Sequence, residues 1–544
     1  MANVKFNKEI FEKEIGKLDE KMQHKIAMFS TPVESITNEE IELEIFPDRP
    51  DLLSYQGFKR GFLAFLGKKS GLKKYSLNKP EKNYKVFVES SVAKVRPFTA
   101  CAIVKGLKLN DEKIKEIIDL QEKLHNTIGR KRRKLAIGIY PLEKITLPIT
   151  YKALEPDKIK FIPLDMNKEL NGLQILQRHP TGREYSHLLS GKSKFPVFID
   201  SAGEVLSMPP IINSQLTGKI TEKTKDVFIE CSGFDLEILK KCLNIIVTSL
   251  ADSSNAKIFQ MEVKYKKSEL TPDLTPEKKK ISLENTNTLL GLNLNEKQLK
   301  QCLERMGYNY NKGVVEIPAW RMDILHEVDL IEDIAIAYGY DNIKPEIPKI
   351  SSIGKESEKE PIIRKISYIL AGLKMLEVSN YHLTNKREQF TKMGISDKQR
   401  RFIEVKESKT EYTILRKDLS HYLLKNLSEN VDAEYPQKIF EIGTVFNPDL
   451  TESLHLGIAL SPGNFTEIKQ TLNYLSRMID KQITLKESKE FPPWFIDGRV
   501  AEINTGNKVT GFLGEIHPKI LKNWKIKMPV ALLEINFSEF FKEL

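Results

Sequence analysis

The sequence predicts a multi-domain α+β protein, and three observations carry that prediction. At 544 residues, and with roughly 100–200 residues to a domain, the chain holds about three to five domains. Short runs rich in β-branched and aromatic residues alternate with longer stretches whose apolar residues recur at helical spacing. Three stretches rich in Pro, Lys, Ser or Asn, at 67–82, 270–280 and 344–360, interrupt the alternation and read as linkers. They divide the chain into an N-terminal helical or α+β domain (1–85), an α+β domain (86–269), a small helix-rich domain (270–345) and a C-terminal domain of helices and strands (355–544).

The first segment opens on a short strand-like piece followed by helices. Phe46-Pro47-Asp48-Arg49-Pro50-Asp51 is a turn. Asp51 or Ser54 then caps a helix in which Leu52, Leu53, Phe58, Phe62, Phe65 and Leu66 fall at helical spacing, and Gly67 stops it. In the second segment VFVES, CAIVKGL, LAIGIY, FPVFID and DVFIECSG read as strands, and 112–129 and 234–252 as helices. In the third, 283–290 and 295–306 read as helices with Gly291 just past the first, 314–317 as a strand ended by Pro318, and 325–338 as a helix closed by Gly339. In the fourth, long helices alternate with IFEIGTVF, LHLGIAL, RVAEIN and VTGFLGEI.

Composition narrows the function classes. The chain is 40% hydrophobic and 29% charged, an ordinary globular balance. Lys and Arg number 85 against 74 Asp and Glu, and the net charge of +11 permits a polyanion such as RNA without requiring one. The cysteines Cys101, Cys231, Cys242 and Cys302 form no C-x-x-C pair and read as buried thiols of a reducing compartment. The charged N-terminus has no apolar signal region, and no apolar run reaches bilayer length. A cytoplasmic protein without a membrane partner is expected.

Three constellations could carry chemistry. On a helix, Asp329, Glu332 and Asp333 share one face, with Asp323 just before it. Like charges at this spacing repel by about 0.2–0.5 kcal/mol per pair. A hard cation such as Mg²⁺ would neutralise them. The macrodipole together with Arg321 would also do so. Next, His179-Pro180-Thr181-Gly182-Arg183-Glu184-Tyr185-Ser186-His187 could line a polar pocket, or Thr181 to Glu184 could be a capping box with Tyr185, Leu188 and Leu189 behind it. Last, Arg130, Lys131, Arg132, Arg133 and Lys134 follow a helix and are candidate phosphate contacts or simply a solvated face. Gly61 and Gly67-Lys68-Lys69-Ser70 imitate a P-loop, but the gap is one residue too long and a second Lys follows the first. No nucleophile elbow, H-E-x-x-H or Rossmann fingerprint is present.

At these residues the chain resembles the phenylalanyl-tRNA synthetase beta subunits of the shorter archaeal and eukaryotic type. Ile317-Pro318-Ala319-Trp320-Arg321 through Asp333 and on to Tyr338-Gly339-Tyr340 is similar to one family signature, and Asp48-Arg49-Pro50-Asp51-Leu52-Leu53-Ser54 to another. His179 to Tyr185, Pro209-Pro210-Ile211-Ile212-Asn213-Ser214, Phe440-Glu441-Ile442-Gly443 and Gly514-Glu515-Ile516-His517-Pro518 resemble further family segments, in the family's order. The resemblance implies a winged-helix-like 270–345 whose Asp323, Asp329, Glu332 and Asp333 bind Mg²⁺ in a site shared with an alpha subunit. It implies that 86–269 is an editing domain that hydrolyses tyrosine wrongly attached to tRNA(Phe), with His179, Arg183, Glu184, Ser207, Asn213, Glu230 and Ser232 as pocket residues and a positioned water as nucleophile. The family's archaeal members more often carry Asp and Thr where this chain has Glu230 and Ser232. The physical need for editing is plain, because a hydrophobic pocket discriminates poorly against an added hydroxyl. The resemblance further implies a class II synthetase-like antiparallel sheet with helices in the C-terminal domain that has lost its active site, with no Gly-rich segment ending in an Arg suited to ATP. Ligation would then need ATP, tRNA(Phe) and a catalytic alpha chain in an α2β2 heterotetramer. Two other readings fit the same residues: a free-standing tRNA-editing hydrolase and a non-enzymatic RNA-binding scaffold.

Overall fold

Glu40–Ile45 alternates Glu with Ile and Leu, and a period of two buries one face of a strand. In the computed structural model, which describes residues 2–349, 353–396 and 401–539, this strand lies between Ala2–Asn7 and Val33–Ile36 in a three-stranded antiparallel sheet. The helix Tyr55–Phe65 follows, and the Ser54 hydroxyl caps it by accepting from the Gly57 amide at 3.0 Å. Its Phe58, Phe62 and Phe65 rings cluster with Phe29.

The chain divides into two compact units, 1–347 and 348–544. In the first, eleven strands form one large sheet, part of which runs Ile149–Leu154, Lys85–Val88, Lys257–Lys264, Phe98–Lys105, Asp226–Gly233 and, at its edge, Leu135–Pro141. Strands such as Phe98–Lys105 read as unbroken apolar runs because both faces are covered. Ala100, Ala102 and Val104 join a core that extends from Val4 to Ala337, while Cys101 and Ile103 join another with Phe228 and Tyr140. The buried helix Leu236–Ser254 lies on the first face and the N-terminal sheet shares that core.

The last part of this unit holds the helices Leu283–Leu290, Glu296–Arg305 and Glu327–Tyr338. Gly291 takes φ of 64° in the left-handed cap of the first helix, where a side chain would be strained. One linker reading fails here. Glu277–Lys280, in the Pro- and Lys-rich stretch, is a strand paired with Val314–Ile317, which also pairs with Asn309–Asn311. Its lysines suit a sheet edge, where charge discourages further pairing.

The second unit is built on a seven-stranded sheet in the order Leu376–Glu377, Gln437–Phe446, Glu452–Ser461, Ala531–Asn536, Lys508–Ile516, Phe495–Thr505, Ile483–Lys486. All pairs are antiparallel except the first. The helices Lys359–Gly372 and Phe465–Met478 supply apolar side chains to its core. All four cysteines are free and buried. Among the described residues no helix is long and apolar enough to cross a membrane.

Candidate functional site

In the acidic constellation Arg321 is the organising residue. Its side chain is 2% exposed, and one nitrogen, Nη2, donates to Asp323 Oδ2 at 2.6 Å and Asp333 Oδ2 at 2.8 Å. Tyr308 also donates to Asp333 Oδ2. Burial would raise the Asp323 carboxyl, but the Arg321 guanidinium outweighs it and holds the carboxyl below its ordinary value. Asp329 Oδ2 accepts from the Leu325 and His326 amides, each at 2.7 Å, and so closes the N-terminus of the helix. Exposed Glu332 is left facing the others. Its carboxyl is pushed up by partial desolvation, then by Asp333, Asp48, Asp329 and Asp323. Of the two ways to neutralise these acids, the Arg321 pairing is in place for Asp323 and Asp333. Among the described residues, no three His, Cys, Asp or Glu side chains close on one point to hold a metal. The donor chemistry nevertheless fits Mg²⁺, which prefers carboxylate oxygen, takes one or two carboxylates and keeps several waters.

The large sheet gathers a second group. Register places Glu230 opposite Cys101 on one side and Gly138 on the other. Tyr140, two residues along from Gly138, has its hydroxyl 3.3 Å from both Glu230 Oε1 and Asn213 Oδ1, so one proton is shared between two acceptors. An added Cβ at Gly138 would stand 2.1 Å from that hydroxyl and 2.7 Å from Glu230 Oε1, so only glycine leaves the room. Glu230 is 1% exposed, and burial pushes its carboxyl up to about 8 against the pull of Arg96. Its Oε2 and the Ser207 hydroxyl are buried without a hydrogen-bond partner. Ser232 is occupied: buried Arg96 donates to its hydroxyl at 3.2 Å and its carbonyl at 2.7 Å.

His179 Nε2 lies 3.0 Å from the Leu164 carbonyl, and the Leu164 amide donates to the Asn213 carbonyl at 2.9 Å. Its Nδ1 is buried and unpartnered. Arg183 and Glu184 are exposed on the helix Pro180–Tyr185. The capping-box reading of Thr181 to Glu184 is overturned. His179 occupies the N-cap without a side-chain bond, Thr181 lies inside the helix, and the capping box belongs to Asn171 and Gln174 one helix earlier. Thus Glu230, Asn213 and, through Leu164, His179 are linked, and Ser232, held by Arg96, lies beside Glu230, whose carboxyl its hydroxyl helps to hold down, whereas Arg183 and Glu184 stand apart from that chain. Tyr140 and Arg96 were not singled out from the sequence. Tyr140 ends an apolar strand, and only the strand pairing sets it against Glu230.

The basic run is a turn in which Arg130, Lys131 and Arg132 have φ of 47°, 54° and 60°. Arg132 is half-buried and engaged. It donates to the Ile211 carbonyl at 2.9 Å and Glu122 Oε1 at 2.6 Å, and it lies over the Tyr185 ring. It therefore braces the Pro209-Pro210-Ile211 segment, while Arg130, Lys131 and Arg133 are exposed. In the second unit the family-like segments serve the framework. Glu441 accepts from buried Arg416 at 2.6 Å, and His517 Nδ1 accepts from the Lys519 amide at the start of Pro518–Asn523.

Comparison with known proteins identifies the family. The model described as "tRNA synthetase B5 domain" matches residues 279–340, and that described as "Phenylalanyl tRNA synthetase beta chain CLM domain" matches 343–537. These matches are those of an aminoacyl-tRNA synthetase subunit. The phenylalanine–tRNA ligase beta subunit of Thermococcus sibiricus is 41% identical over 91% of this chain and 90% of its own. That of Archaeoglobus fulgidus is 39% identical over 95% and 94%. A solved N-terminal fragment of the phenylalanyl-tRNA synthetase beta subunit from Pyrococcus horikoshii is 39% identical, with a TM-score of 0.59 over 62% of this chain and 99% of the fragment. The chain belongs to the phenylalanine–tRNA ligase beta subunit family, in its short archaeal form.

Proposed function

We propose that this chain is the non-catalytic large subunit of an enzyme that attaches L-phenylalanine to tRNA(Phe) with ATP. Amino-acid activation lies in a separate alpha chain, and the two assemble as α2β2 in the cytoplasm. The observation that carries the reading is the likeness to family members over more than nine-tenths of both chains. The absence from the sequence of an ATP-binding Gly-rich segment agrees with it.

Segment 86–269 is the editing domain in this reading. Asn213 is the accessible end of the Asn213–Tyr140–Glu230 chain. A tyrosyl group differs from phenylalanyl by one hydroxyl, and a site that can hydrogen-bond it discriminates far better than an apolar one. A neutral Glu230 lets Tyr140 act as donor or acceptor toward Asn213, and Asn213 presents that choice to the phenol. The cysteine thiol beside Glu230, Cys101, is pushed up by burial and is not activated as a nucleophile. Water is the attacking group. Arg130, Lys131 and Arg133 are the RNA contacts.

Segment 270–345 is a winged-helix-like domain, and Asp323, Asp329, Glu332 and Asp333 are the residues that would hold Mg²⁺ beside the alpha subunit. When bound, the cation supplies the positive charge that relieves repulsion around Glu332. Segment 355–544 is a class II synthetase-like sheet without an active site.

The test is phenylalanine attachment by the chain alone and with the alpha subunit added. Activity only in the mixture is expected; activity in neither, from a folded chain, would favour a free-standing editing hydrolase or a scaffold. Within the active mixture, Asn213→Ala is expected to slow hydrolysis of Tyr-tRNA(Phe) by tenfold or more, with no covalent intermediate. Full-rate hydrolysis by both Asn213→Ala and Glu230→Ala would remove the pocket from these residues.

A further inference from the structure

A cavity of about 400 Å³ in the first unit lies away from both sites just described in its lining, apart from Arg321. Six cations line it: Arg49, Lys59, Arg60, Lys69, Lys73 and Arg321. Two acids, Asp51 and Asp252, line it with them. Asp51 is taken up by Arg49 at 2.9 Å. Asp252 serves both Arg60, at 3.0 Å, and Lys73, at 2.6 Å, and it also accepts from Tyr75. Acids outside the lining answer Lys59 and Arg321, namely Glu14, Asp323 and Asp333. Lys69, exposed at the mouth, has no acid partner among the described residues. The lining therefore carries more cations than acids around a half-open cavity, where charge is less screened than on an open surface.

Three of the lining residues also keep a buried polar atom without a partner: Arg60 Nη2, Arg321 Nη1 and Gln56 Oε1. Such atoms are rare in folded proteins and ask for an explanation. The Arg321 guanidinium lies close enough to Arg49 to oppose its charge. Arg60 lies 4.3 Å from the centre of the Trp320 ring, and Tyr75 meets Trp320 edge-on. Stacking fixes the guanidinium plane; Nη1 donates to Tyr75 at 2.9 Å and Asp252 at 3.0 Å, which leaves Nη2 to bind within that plane.

We propose that this cavity is a binding site for a phosphate-bearing molecule of mononucleotide size, held by Arg60 and the cations around it. A phosphate matches the planar donor fork of arginine, and the volume lies within the range of small-ligand sites. The phosphate comes either from a free nucleotide or from the end of an RNA chain.

Isothermal titration of the full chain with AMP tests the site. One saturable site is expected, weakening as salt rises. Lys69→Glu, which reverses a charge at the exposed mouth, is expected to weaken it at least tenfold with an unchanged thermal transition. Arg60→Lys, which keeps the charge and removes the fork, is expected to weaken it as well. Lys527→Glu, exposed in the other unit, is expected to leave it unchanged. Displacement of AMP by a short 5′-phosphorylated RNA assigns the phosphate to RNA, and its absence assigns it to the free nucleotide. No saturable binding by the unaltered chain, or equal binding by Lys69→Glu, overturns the proposal.

Discussion

A carboxyl group in an apolar sheet keeps its proton, and Glu230 does so up to about 8. Between the ordinary value of 4.5 for glutamate and about 8 the folded chain holds a proton that the unfolded chain has released. The contribution of Glu230 to stability is thus fully present below 4.5 and is lost as pH rises through about 8, a change on the order of a few kcal/mol. Glu230→Gln, which stays neutral, is expected to flatten that dependence. Its denaturation midpoint should gain on the unaltered protein between pH 5 and 9, and parallel curves would show that Glu230 ionises normally. Arg321 is the opposite case, a buried charge that two buried acids need. Arg321→Met leaves Asp323 and Asp333 without their cation and is expected to destabilise the first unit by about 3–5 kcal/mol in urea titration. A change below about 1 kcal/mol would mean the acids find another partner.

Strands show what the sequence could and could not disclose. The helices expected at 283–290, 295–306 and 325–338 appear as Leu283–Leu290, Glu296–Arg305 and Glu327–Tyr338, because Ser282, Asn295, Gly291 and Gly339 mark their ends locally. The acidic face was legible for the same reason: it lies on one helix. The strand Glu277–Lys280 was not legible, since its partner Val314–Ile317 lies beyond two helices. Nor was the Asn213–Tyr140–Glu230 chain, which is assembled from separate strands whose register no local pattern encodes. That assembly leans on a missing side chain. Gly138→Ala would drive a methyl to 2.1 Å from the Tyr140 hydroxyl. It is expected to destabilise the first unit by about 1–3 kcal/mol and to slow Tyr-tRNA(Phe) hydrolysis along with Asn213→Ala. Unaltered hydrolysis with a full stability loss would separate the sheet from the pocket.

At the scale of the molecule, the linker at 344–360 contains the boundary between the units at 347 and 348. The 67–82 and 270–280 stretches part no cores, because one core runs from Val4 to Ala337 beneath them. Proline and lysine content marks where a chain is exposed, and exposed chain can still edge a sheet. The second unit has cores of its own, and multi-domain chains often depart from a single cooperative transition. Calorimetry is expected to resolve two transitions. Gly511→Ala, whose methyl would stand 2.0 Å from the Glu534 carbonyl oxygen, should lower only one of them. A single transition shifted whole would show the units to be one cooperative body.

The turn through Arg130, Lys131 and Arg132 holds three residues in the left-handed region, where a side chain costs about 1–2 kcal/mol each. Glycine would relieve that strain, yet arginine and lysine stand there. A chain tuned only for robustness would have discarded them, and under the proposed RNA contact the turn is a place where endurance and task pull in opposite directions. With Arg130 and Lys131 as the proposed RNA contacts, replacing both with glycine should give a hardier subunit, and weaker tRNA binding by it would support that proposal.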